Sequence, residues 1–125
     1  MIRFFVSAIF VLFVLVGLSA EAEAARNCSV PGIRTLDNQT VNGTMTVKTG
    51  TRCSIILRSS GGPMESLSIV ARPSHGAVRV SGNTVFYQPR KGFVGNDAFT
   101  YARSGMDTRN NKVKRTVSIA VDVTP

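Results

Sequence analysis

The residues of this sequence with the means to do chemistry are few. His75 is the one imidazole, Cys28 and Cys53 are the two thiols, and Arg103, Arg109, Lys112, Lys114 and Arg115 crowd one stretch near the C-terminus. An imidazole can act as a general base, but His75 stands in a Pro-Ser-His-Gly turn. Its neighbour Ser74 is too close along the chain to face it productively. No G-x-S-x-G elbow, H-E-x-x-H helix or phosphate-binding glycine loop occurs. The residues therefore predict no enzyme, no catalytic group and no cofactor. Tetrahedral zinc wants about four Cys, His or carboxylate ligands, which two cysteines and one histidine do not supply. Oxygen-rich calcium coordination is likewise unsupported, since no D-x-D or D-x-N-D-N cluster is present. The thiols have a simpler use. In an exported chain an even cysteine count defaults to disulfide bonding. A Cys28–Cys53 bridge would stabilise the fold by about 3 kcal/mol on the chain-entropy estimate.

Export is read from the N-terminus. Arg3 supplies a positive start, residues 4–18 form an apolar run, and Ala20, Ala22, Ala24 and Ala25 follow in A-x-A spacing. This is the pattern of a cleaved signal peptide, here residues 1–24, cut after Ala24 or Ala22. A membrane span would need about 20 apolar residues, and two glutamates end the run early. No lipobox precedes Cys28. Residues 25–125 then form one domain, large enough to bury its own core. The signal takes one cation (Arg3) and two acids (Glu21, Glu23) from totals of 15 and 7. The 14 cations and 5 acids that remain give a net charge of +9. The expected location is periplasmic or extracellular.

The elements that must position these residues are strands. Alternation of apolar and polar residues marks a half-buried strand, and it is clearest over residues 112–123. There Val113, Val117, Ile119, Val121 and Val123 share one face, and Lys112, Lys114, Thr116, Ser118 and Asp122 the other. Arg115 falls in the apolar register, which predicts a stem packed near the sheet end with its head in water. Similar runs carry Cys53, Ile55 and Leu57; Leu67, Ile69 and Ala71; Val78 and Val80; Val85 and Tyr87; and Phe99 and Tyr101. Weaker runs lie at 33–36 and 45–47. Turn chemistry separates them: Ser81-Gly82-Asn83 as a tight hairpin, residues 59–63 as a longer connection, and residues 72–76 as a turn in which Pro73 fixes φ and Gly76 is free to take positive φ. No helical periodicity extends over ten residues. About seven strands at this spacing predict an all-β, immunoglobulin-like antiparallel sandwich.

Residues 87–101, YQPRKGFVGNDAFTY, read as the corner between two of those strands. Pro89 ends one strand because it cannot donate to the ladder. Gly92 and Gly95 let the backbone reverse, Phe93 plugs the end of the core, and Asp97 accepts backbone N–H groups at the turn exit. Phe99 and Tyr101 then point inward together. With the preceding P-S-H-G-A-V, this line resembles the bacterial Ig-like, cadherin-like domains repeated in large surface proteins. They read P-x-H-G-x-V and then Y-x-P-x-x-G-F-x-G-x-D-x-F-x-Y. Pro73, His75, Gly76 and Val78 match the first part, and Tyr87, Pro89, Gly92, Phe93, Gly95, Asp97, Phe99 and Tyr101 match the second. The resemblance covers about residues 64–123 and implies a β-sandwich with an extracytoplasmic adhesive or scaffolding role. This sequence departs from the family in its strong positive charge and in showing one copy rather than a tandem array.

Charge is the remaining lead. Arg52, Arg58, Arg72 and Arg79 fall at outward strand positions or ends, and the five cations from Arg103 to Arg115 surround the last hairpin with Asp107 between them. A positive patch attracts phosphate, sulfate or carboxylate polymers, and loops at the ends of sandwiches commonly carry binding. The expected partner is an envelope protein or an anionic envelope polymer such as lipopolysaccharide or a glycan. Inhibition of a secreted hydrolase is a further alternative. Nucleic acid is not expected, because single-strand binding wants exposed aromatics beside the cations and Phe86 is the one outward ring. The sequons at Asn27, Asn38 and Asn42 read as polar turn residues.

Overall fold

The computed structural model describes residues 27–58 and 64–125. The expected signal segment and the 59–63 connection lie outside the described residues. Among the described residues eight strands form: β1 (Cys28–Ser29), β2 (Thr40–Lys48), β3 (Cys53–Ile56), β4 (Met64–Ala71), β5 (Gly76–Ser81), β6 (Thr84–Pro89), β7 (Gly95–Met106) and β8 (Lys112–Thr124). They make a five-stranded sheet in the order β1-β2-β8-β7-β4 and a three-stranded sheet in the order β3-β6-β5. The two sheets enclose one apolar centre, the predicted sandwich.

Three details depart from the sequence reading. Residues 33–36 form no strand. Pro31 has no N–H to give a ladder. Ile33 instead tucks over β2, where a Cβ placed on Gly43 would meet Ile33 Cδ1 and Ile119 Cδ1 at 2.8 Å. The run at 45–47 belongs to a longer strand, β2, which lies parallel to β8 in the register Thr40↔Thr116 through Lys48↔Thr124. The sheet is therefore not wholly antiparallel. Parallel neighbours need a long connection, and here nearly the whole domain intervenes between them. Gly76 is the third departure. Its φ is not positive; glycine is required because a Cβ there would sit 2.5 Å from Gln88 O and 2.9 Å from the Tyr87 ring. Gly82, in the two-residue hairpin loop between β5 and β6, does take positive φ (56°).

The core follows the alternation. Met45 and Val47 of β2, Ile55 of β3, Val78 of β5, Val85 and Tyr87 of β6, Phe99 and Tyr101 of β7, and Val117, Ile119, Val121 and Val123 of β8 are all buried. Each large side chain removed from water contributes about 1.5–3 kcal/mol. The Tyr87 and Phe99 rings stack across the gap between the sheets with centroids 5.6 Å apart. Cys28 and Cys53 are bridged, with Cα atoms 5.3 Å apart. That separation suits a disulfide, and the bond ties β1 of the larger sheet to β3 of the smaller.

Candidate functional site

The corner predicted at 87–101 is built around one carboxylate. Asp97 opens β7 at a buried, inward position. Its Oδ2 accepts from the Tyr87 hydroxyl at 2.7 Å and the His75 amide at 3.1 Å. Its Oδ1 accepts from the Ser74 amide at 3.0 Å and the Ala98 amide at 2.9 Å. Burial pushes the carboxyl up, but the Tyr87 hydroxyl and the Ala98, Ser74 and His75 amides outweigh it and hold Asp97 below the usual carboxylate range. Tyr87 moves the opposite way: burial and the adjacent carboxylate push its phenol far above its ordinary value. The bonds at Ser74 and His75 reach a different turn, the one between β4 and β5, so Asp97 latches two corners rather than one. His75 joins them a second time, stacking on Phe93 with centroids 4.3 Å apart and planes 5° from parallel. Gly92 (φ 79°) and Gly95 (φ 139°) give the reversal expected of them, and Pro89 ends β6. Phe93 packs against the core from this end.

His75 thus serves packing. Its ring is fixed by stacking, and its Nδ1 is buried with no hydrogen-bond partner among the described residues. Among those residues no group of three or more His, Cys, Asp or Glu is arranged to hold a metal.

The basic hairpin lies at the opposite end of the sandwich. Asp107 folds the tip, accepting from the Arg109 and Asn111 amides at 2.8 Å each and from Asn111 Nδ2 at 3.2 Å. The Asn111 and Arg109 amides hold its carboxyl below the usual range despite some desolvation. The five cations divide three ways. Arg109 stands at the tip, and Lys112 and Lys114 lie exposed on the outer face of the large sheet. Arg103 and Arg115 are cross-strand partners on the inward face, beyond the core. Arg103 Nη1 donates to Arg58 O at 2.9 Å and Nη2 to Thr35 Oγ1 at 3.3 Å. Burial and the neighbouring Arg115 lower its pKa. Arg115 Nε donates to Asp37 Oδ1 at 2.6 Å, and its side chain keeps 18% of its exposure. The stem is packed, as its place in the apolar register predicts. Asp37 was not singled out in the sequence; its partner is 78 positions away.

A second cationic feature lies on the outer face of the small sheet. The Arg52 guanidinium sits over the Phe86 ring at 4.7 Å, a cation–π contact, and Arg79 is the cross-strand neighbour of Phe86. The outward ring noted in the sequence is therefore partly covered.

Two packed sheets, an intersheet disulfide and an Asp97 latch at the corner define an immunoglobulin-like β-sandwich. The family model of the bacterial Ig domain matches residues 29–120, and the chain belongs to that family. The match takes in β3 with Cys53 and reaches back to Ser29 of β1, beyond the stretch where the resemblance is legible, and Cys28 lies just outside it. No curated protein matches the chain significantly.

Proposed function

We propose that this chain is an exported, non-enzymatic Ig module of the cell envelope that binds an anionic envelope polymer through its hairpin end. Arg58, Arg103, Arg109, Lys112, Lys114 and Arg115 gather there. One observation carries the reading: the cations gathered at that end outnumber its acids, Asp37, Asp107 and Glu65 of β4. Asp37 pairs with Arg115, and Asp107 spends its oxygens on its own turn. These contacts do not cancel the carboxylate charges, but the excess of cations leaves a positive field, which favours recruitment of polyanions. Export is supported by the disulfide, since such bonds persist in oxidising compartments, and by the family. No helix among the described residues is long and apolar enough to cross a membrane.

The test is binding to immobilised heparin and to lipopolysaccharide over a salt series. Affinity is expected to fall steeply with ionic strength as exposed charges are screened. Arg109→Glu and Lys114→Glu should each weaken it by at least about fivefold, at roughly 1 kcal/mol per cation near an anionic surface. Asp37→Asn should strengthen it, with a stability change below about 1 kcal/mol for a partly exposed pair. Affinity that ignores 0.5 M salt, taken as about three times physiological ionic strength, would count against the reading.

A further inference from the structure

The three-stranded sheet stops at β3 with one edge open. Leu57 donates to Asn83 O at 2.8 Å, and the β3–β6 register carries that pairing back to Ile55 and Cys53. Alternate residues of an antiparallel strand face away from the partner, so Ser54 and Ile56 aim their N–H and C=O groups at the open edge. The neighbouring segment 30–36 does not satisfy them: no backbone bond joins it to β3, and Ile33 packs over Gly43 instead. Between that segment and β3 lies a cleft of about 410 Å³. Ile55, Leu57 and Tyr101 line it, Ile33 forms the far wall, and Arg58 and Arg103 stand at its hairpin end. Beside it, Ile56 keeps 66% of its exposure.

We propose that this cleft binds an extended peptide of another protein, which adds to β3 as a strand and places a carboxylate against Arg58 and Arg103. Each feature selects the occupant. A row of unpaired backbone groups is a template for another strand, not for a lipid or a polysaccharide. The alternation of the added strand turns the residue beside Ile55 inward, over Tyr101, where an apolar side chain fits. Arg103 is already anchored by Arg58 O and Thr35 Oγ1, so little ordering is needed to present positive charge, and no acid lines the cleft. A second copy of β3 fits poorly, because Arg52 and Arg58 flank the strand and bring like charges together.

The probe is the peptide acetyl-Thr-Val-Thr-Val-Glu, added to the purified protein and followed by amide hydrogen exchange and chemical shifts. Slowed exchange at the Ser54 and Ile56 amides is expected, with shifts at Ile55, Leu57 and Tyr101. A twin with Gln and an amidated terminus should bind about tenfold more weakly, the loss of a charge-assisted contact. Twins bearing one carboxylate each separate a side-chain acid from a terminal one. Ile56→Pro removes an outward N–H and no ladder bond, a place where an edge strand tolerates proline; it should keep the fold and lose binding. Unchanged exchange at Ser54 and Ile56 in millimolar peptide, shifts confined to the β7–β8 hairpin, or equal binding by a folded Ile56→Pro protein would each overturn the proposal.

Discussion

The Tyr87 hydroxyl of β6 donates to Asp97 Oδ2 of β7 across 2.7 Å, joining the two sheets through one buried hydrogen bond. The same carboxylate holds the Ser74 and His75 amides, 23 and 22 residues earlier in the chain. Hydrogen bonds to a charged acceptor are worth about 1.5–3 kcal/mol each, and a buried donor left unpaired costs a comparable amount. Asp97→Asn keeps the shape but removes the charge and turns an N–H₂ toward the donors. It should cost about 3 kcal/mol in urea unfolding. Tyr87→Phe leaves three amides on the carboxylate and should cost about 1–2 kcal/mol.

Linkage gives the latch a pH signature at both extremes. The folded pKa of Asp97 is depressed, so its contribution is complete above the unfolded carboxylate value of about 3.9 and is lost as the pH falls below it. The folded pKa values of Tyr87 and Tyr101 are raised. Their contribution is complete below the unfolded phenol value of about 10 and fades as the pH rises beyond it. Stability should therefore fall as the pH drops below the lower limit and as it rises above the upper one. In Asp97→Asn the acid limb should flatten; an unchanged acid limb would remove Asp97 from its cause.

Two glycines should fail for different reasons. At Gly76 an alanine Cβ meets Gln88 O at 2.5 Å, and backbone on both sides must shift. A loss of about 2–3 kcal/mol is expected, within the range for overpacking. At Gly82 there is open space but φ is 56°. Alanine there should cost about 1–2 kcal/mol, and asparagine, which tolerates left-handed backbone, distinctly less. Thermal unfolding of the three variants gives the ranking.

The Cys28–Cys53 bridge closes a loop of sequence separation 25. Replacing both cysteines with serine should cost about 3 kcal/mol, seen as a lower urea midpoint. Cys53 is buried in the core, so the double alanine variant should lose less than the double serine, which buries hydroxyls as well.

Much of this was legible in the chain. The two-residue alternation places Val117, Ile119, Val121 and Val123 inward, and all four are buried. The corner residues Pro89, Gly92, Gly95 and Asp97 perform turn and capping roles that their own chemistry dictates. The 33–36 run misled because an apolar pair near Pro31 looks like a strand, whereas Ile33 is drawn to the space over Gly43. The hairpin cations were visible as a crowd, and alternation alone set Arg115 on the face opposite Lys112 and Lys114, but not that Arg103 stands across from Arg115 or that Arg115 meets Asp37.

The sequence by itself determined the inward faces of β6, β7 and β8 and where the chain turns, because alternation and turn geometry are local properties of a few consecutive residues. Tertiary structure alone decided that β2 lies parallel to β8, that Asp97 serves the turn at Ser74 and His75, that Asp37 meets Arg115, and that β3 is left with an open edge. Those relations join residues tens of positions apart, and they depend on the order in which strands pack around the shared core rather than on any local preference.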